Sequence, residues 1–109
     1  MENCIFCKIV KKELPAKFVY EDQDIVAFPD IHPVRPVHII LIPKEHVSEL
    51  IAVEKPELFQ KLLTAAQKVI GDQQLKDKGY RVVINGGGAQ LIDHLHVHVM
   101  GPVKKTASL

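Results

Sequence analysis

Apolar residues along the chain fall into two helical patterns and five short strand-like runs. Residues 4–13 place Ile5, Ile9 and Val10 at helical spacing, which predicts a short N-terminal helix limited by Pro15. Residues 17–21 and 25–29 read as strands joined by the polar turn Asp22-Gln23-Asp24, a hairpin. Residues 30–37 hold Pro33 and Pro36 and predict a loop that presents side chains at a strand entrance. Residues 38–43 are almost wholly apolar and predict a buried strand. Between 54 and 70, Leu58, Phe59, Leu62, Leu63, Ala66, Val69 and Ile70 recur at i, i+3/i+4. That stripe predicts one long helix, with Pro56 in its permitted first turn and Gly71 as its breaker. Residues 80–85 predict a fourth strand, and residues 94–100 a fifth with strict alternation. The order α-β-β-β-α-β-β predicts an α+β fold. Its core is a five-stranded, mainly antiparallel sheet with one long helix and a short N-terminal helix, a single domain over residues 1–109.

Charge narrows the partners. Fourteen Lys+Arg against thirteen Asp+Glu leave a formal +1. This balance argues against nucleic acid or an anionic membrane held by bulk electrostatics. It still allows a single phosphate gripped by a few aimed N–H groups. The N-terminus lacks the pattern of a secretory signal, and the longest apolar run, 39–42, is far too short to span a bilayer. A soluble, cytoplasmic protein is expected. In such a reducing compartment, Cys4 and Cys7 as a lone Cys-x-x-Cys fit a metal site, a redox pair or two free thiols.

Histidine carries the chemistry: the chain has six, and three stand at alternate positions, His94, His96 and His98. On a strand they share one face, with Leu95, Val97 and Val99 turned to the core, and their rings stand about 7 Å apart, twice the strand rise. Three imidazoles and a water would make a hydrolytic zinc site. Alternatively, one imidazole is a nucleophile whose neighbours fix its tautomer. The turn Asn85-Gly86-Gly87-Gly88-Ala89-Gln90 ends just before them. Glycines let backbone N–H groups approach an anion closely, although three glycines also suit a mobile turn. Beside three histidines, phosphate handling is the economical explanation, and His96 is the central member.

The stretch His94-Leu95-His96-Val97-His98-Val99-Met100 resembles the histidine triad (HIT) family of nucleotide hydrolases and transferases, whose pattern is His-φ-His-φ-His-φ-φ with φ apolar. The resemblance covers nearly the whole chain. It includes the opening Cys4-Ile5-Phe6-Cys7, Ala27-Phe28-Pro29-Asp30-Ile31, the segment from His38 to His46, and Tyr80 to Asn85. The branch is similar to the small bacterial nucleoside phosphoramidases.

The resemblance implies a HIT-like fold and a set of roles. His96 corresponds to the nucleophile that attacks the α-phosphorus and becomes a nucleotidyl-histidine. His98 and His38 correspond to histidines that position the phosphate and the nucleophile. Asp30 matches the acid that binds the ribose, Ile31 an adjacent base contact, and Asn85, Gly88, Ala89 and Gln90 the phosphate loop. The implied substrate is a purine nucleoside 5′-phosphoramidate of the AMP type. Some bacterial members bind structural zinc through residues matching Cys4, Cys7, His46 and His94, with no metal required for catalysis. Relatives are two-fold dimers, and Leu58, Leu62 and Val69 are expected to bury partly against the partner.

The chain departs from the family in places. The loop from Asn85 to Gln90 is two residues shorter than in many members, and Leu91 stands where a hydroxyl is common. Asp93 replaces a bulky residue, and Gly101-Pro102 replaces a common Gly-Gly. These changes bear on the leaving group and raise an alternative, a purine-nucleotide-binding regulatory module with little turnover. His32 matches no family role.

Overall fold

The structure, a computed structural model, describes residues 3–106 and 108–109. Helix α1 is Ile5–Val10, capped by Cys4, whose sulfur accepts from the Cys7 N–H. Five strands follow: β1 (Tyr20–Glu21), β2 (Ile25–Pro29), β3 (Val37–Pro43), β4 (Arg81–Ile84) and β5 (Val97–Gly101). Helix α2 (Glu57–Asp72) lies between β3 and β4. The sheet order is β1-β2-β3-β5-β4, and every neighbouring pair is antiparallel. Among the described residues, no helix is long and apolar enough to cross a membrane.

Alternation along the strands divides the core in two. Ile25, Ala27, Ile39, Leu41, Val97 and Val99 point to one face, where Leu58, Leu62, Ala65, Ala66 and Val69 of α2 cover them. Val26, Phe28, Ile40 and Ile42 point to the other face and meet Phe6 and Ile9 of α1. The short helix covers only part of that second face. The rest is left for polar side chains.

Several boundaries differ from the periodicity reading. Strand β1 keeps two of five predicted residues, and Phe18 just before it packs on Phe28 at a ring separation of 6.4 Å. Helix α2 starts at Glu57, since residues Leu50–Ala52 form a separate 3-10 turn and Val53 is extended. Gly71 lies inside the helix and does not break it; its Cβ position faces open space, and one helical glycine costs only about 1 kcal/mol. The largest difference concerns β5, which begins at Val97 and not at His94. Strand β4 stops at Ile84, opposite Val97, so the preceding residues have no strand beside them on that side. The Leu95 N–H instead donates to the Val47 carbonyl at 2.7 Å, and the His94 carbonyl is taken by a side chain. The alternation of faces nevertheless survives upstream: Leu95 joins the α2-covered core, while His94 and His96 face Phe6.

The α2 stripe also divides differently from expectation. Leu58, Leu62 and Val69 are at most 8% exposed and belong to the chain's own core. The apolar side chains that α2 leaves exposed are Phe59 and Leu63, with Val82 exposed on the edge strand β4.

Candidate functional site

The histidines occupy the uncovered half of the second sheet face. His38 pairs in register with Met100, and His98 with Ile40, so His38 and His98 are diagonal neighbours on β3 and β5. Their rings approach to 5.1 Å, and His38 Nε2 lies 2.8 Å from His98 Nδ1. The tautomers follow from the surroundings. The Val34 N–H donates to His38 Nδ1 at 3.1 Å, so a neutral His38 carries its proton on Nε2. That N–H donates to His98 Nδ1, which leaves the His98 proton on Nε2. Asp30 Oδ2 stands 3.4 Å from His38 Nε2, while Asp30 Oδ1 accepts from the His32 N–H at 2.8 Å. Burial, with His96 and His38 alongside, pushes the His98 pKa down to about 4, so it is neutral near pH 7.

His96 is 5% exposed and is oriented from its own chain. Its Nδ1 lies 2.8 Å from the His94 carbonyl oxygen, two residues back. A carbonyl only accepts, so Nδ1 carries a hydrogen, and in the uncharged ring the lone pair is on Nε2. Phe6 supports the ring edge-on at 5.2 Å, and the His98 ring is 5.0 Å away. This is closer than the roughly 7 Å spacing of a flat strand, because His96 precedes the laddered part of β5.

His94 faces a different neighbourhood. Its Nε2–H donates to the Pro43 carbonyl at 2.8 Å, which turns the Nδ1 lone pair toward Cys4 Sγ at 3.3 Å and Cys7 Sγ at 3.5 Å. His46 Nδ1 lies 3.3 Å from Cys7 Sγ. The four donor atoms of Cys4, Cys7, His46 and His94 lie within 4.8 Å of one another. A tetrahedral zinc ion with bonds of about 2.3 Å to sulfur and about 2.0–2.1 Å to nitrogen sets its donors about 3.4–3.8 Å apart. The residues therefore fit zinc in number, type and spacing. Burial and the hydrogen bond to Cys4 raise the Cys7 thiol pKa, and burial lowers that of His94 to about 4.

The triad is thus divided and does not converge on one metal. Asp30, His38 and His98 also lie close together, but the 2.8 Å N···N distance is that of a hydrogen bond, and His38 Nε2 carries a proton.

The glycine-rich turn leaves the sheet at Ile84, paired with Val97, so Asn85 extends to the level of His96. In this arrangement the turn is closed on itself. The Gly88 N–H donates to Gln90 Oε1 at 2.9 Å, Gln90 Nε2 to Asp93 Oδ1 at 3.1 Å, and the Ala89 N–H to the Gly86 carbonyl at 3.2 Å. Ile31 and Leu91 are 86% and 94% exposed. Four participants escaped the sequence reading: Phe6, the Val34 N–H, the Pro43 carbonyl and Glu49, whose Oε1 accepts from the Gly87 N–H at 3.0 Å. Phe6 sat between the cysteines as a visible apolar position; the others had no sequence signal.

A family model described as the HIT domain matches residues 11–105. The chain belongs to the HIT-domain family. This HIT chain is 45% identical over 105 residues to Protein HitA of Neisseria gonorrhoeae, covering 93% of this chain and 97% of that one. It is 46% identical over 103 residues to the 14 kDa zinc-binding protein of Zea mays, covering 89% and 80%. Among solved structures, the HIT family hydrolase from Clostridium thermocellum superposes with a TM-score of 0.94 at 40% identity, covering 100% of this chain and 98% of that one. The HIT fold expected from the triad is the one observed.

Proposed function

We propose that this HIT chain hydrolyses nucleoside 5′-phosphoramidates of the AMP type through a nucleotidyl-histidine at His96. The observation that carries the reading is the orientation of His96: a buried imidazole with Nδ1–H tied to a carbonyl and Nε2 turned away from that contact. Nε2 attacks the α-phosphorus, the P–N bond breaks, and the amine leaves with a proton from water, which becomes hydroxide. A water molecule then attacks the same phosphorus and gives its proton to that hydroxide, the bond to His96 breaks with its electron pair returning to Nε2, and the nucleoside monophosphate departs.

The neighbours serve this step by position. His98, neutral, offers its Nε2–H to a phosphate oxygen, and His38 holds His98 in that tautomer. Asp30 takes the ribose hydroxyls, and the exposed Ile31 takes the base. Asn85, Gly88, Ala89 and Gln90 meet the phosphate once the turn exchanges its internal hydrogen bonds for phosphate oxygens. The hydrolase name of the Clostridium thermocellum relative supports this reaction class.

Cys4, Cys7, His46 and His94 hold a structural zinc ion, a reading that the name of the Zea mays relative supports. A closed Cys₂His₂ set leaves no open position for substrate, so zinc would tie α1 to the loops after β3 and before β5 and take no part in the chemistry. Two cysteines with no disulfide between them fit a reducing, cytoplasmic setting. A homodimer through α2 and β4 would cover Phe59, Leu63 and Val82, which share one side of the sheet.

The test is AMP release from adenosine 5′-phosphoramidate. Loss of release in His96→Ala with the fold intact supports the proposal; equal rates refute it. The exposed Leu91, which offers no hydroxyl, favours a second reading as a nucleotide-binding module. Tight AMP binding with negligible turnover by the wild type would select it.

A further inference from the structure

Glu49 reaches the phosphate loop from the segment between β3 and α2, 38 residues away in the chain. Its Oε1 accepts from the Gly87 N–H at 3.0 Å. A Cβ at Gly86 would stand 2.9 Å from the same oxygen, so a larger residue there would shift the carboxylate. Gly87 has φ +66°, a conformation that glycine adopts without strain and that aims its N–H at Glu49. A carboxylate therefore holds a backbone amide of the kind that phosphate oxygens normally take.

Its place in the site gives this meaning. Asp30 follows β2 and hydrogen-bonds back to β3 through the contact of its N–H with the His38 carbonyl at 2.9 Å. From there the array runs diagonally across the sheet, His38 to His98 to His96, and reaches the turn after β4. The ribose acid and Glu49 stand at opposite ends. With the α-phosphorus at His96 and the nucleoside toward Asp30, the groups beyond the phosphorus face the turn, Glu49 and Asp93.

Resting on the phosphoramidate reading above, we propose that Glu49 determines leaving-group specificity. Its carboxylate occupies the loop amide and repels a second anion, so the site takes phosphoramidates of neutral or cationic amines and discriminates against leaving groups that carry a carboxylate or phosphate. Asp93, held by Gln90, adds negative charge at the other end of the same turn. The shortened loop fits this assignment, since fewer free amides remain to receive a polyphosphate.

The test compares three adenosine 5′-phosphoramidates whose amines are ethylenediamine, propylamine and β-alanine, cationic, neutral and anionic at their free ends. For wild type, kcat/KM should be at least tenfold lower for the β-alanine compound than for the propylamine one. In Glu49→Gln, which retains an acceptor for the Gly87 N–H, that ratio should shrink at least fivefold. Raising KCl should also shrink it in the wild type, an arm that needs no variant. His96-dependent hydrolysis with the same ratio in both proteins overturns the role of Glu49 and leaves the reaction standing. Absence of hydrolysis of all three by the wild type overturns the reaction and this proposal with it.

Discussion

The Nδ1 of His96 and the carbonyl of His94 are 2.8 Å apart, and this contact joins the two halves of the site. The same His94 presents its ring to Cys4 and Cys7. One residue thus orients the proposed nucleophile with its backbone and completes the cysteine cluster with its side chain. The carbonyl contact uses none of the cluster's donor atoms, so loss of the cluster should cost stability before it displaces His96.

Zinc is expected at one ion per chain. Chelation should lower Tm by at least about 5 °C, since about 1 kcal/mol shifts a domain of this size by roughly 4–8 °C. Cys7→Ser should do the same without added chelator. Metal analysis and thermal melts check this. Turnover per folded molecule should persist in the stripped protein at low temperature.

His38→Ala removes the donor that holds His98 Nδ1. It should lower kcat/KM by about ten- to a hundredfold, below the full effect of a general acid or base. Because His38 touches Asp30 as well, part of the loss should appear in KM for the nucleotide. Steady-state kinetics with adenosine 5′-phosphoramidate read both.

Much of the fold was legible because periodicity is local. The α2 stripe and the apolar run of β3 announce themselves, and the alternation after His94 assigns Leu95, Val97 and Val99 to the core correctly. The division of the triad was not legible from spacing. It depends on where β4 ends and on the Leu95 N–H finding Val47, both non-local. Resemblance, and not pattern, grouped His94 with the cysteines. Glu49 left no trace because its partner lies on a distant turn. The edge of the α2 stripe that faces outward depends on how the helix sits on the sheet, which periodicity does not encode.

Stability should fall with acid. The folded-state pKa of His98 is about 4, below the ordinary 6.5. As pH drops below about 6.5 the unfolded chain gains a proton that the folded chain refuses until about 4, so unfolding is progressively favoured across that window. The full loss, reached below pH 4, is on the order of 3 kcal/mol for this group. His94 acts in the same direction when zinc is absent. Urea unfolding of zinc-loaded protein at pH 7 and pH 4.5 checks the sign, and His98→Asn should flatten the dependence.

Phe59, Leu63 and Val82 should be buried in a dimer. Sedimentation at micromolar concentration should give a dimer for wild type and a monomer for Leu63→Glu with Val82→Lys. A monomeric wild type would exclude that assembly.

The proposed hydrolysis rests on a covalent bond from His96 Nε2 to phosphorus. Rapid acid-free quenching of wild type with adenosine 5′-phosphoramidate, followed by intact mass and peptide mapping, tests it directly. A transient gain of one AMP unit is expected on the peptide carrying His96, absent in His96→Ala together with AMP release. Hydrolysis that proceeds undiminished in His96→Ala with no adduct on the wild-type chain would contradict it.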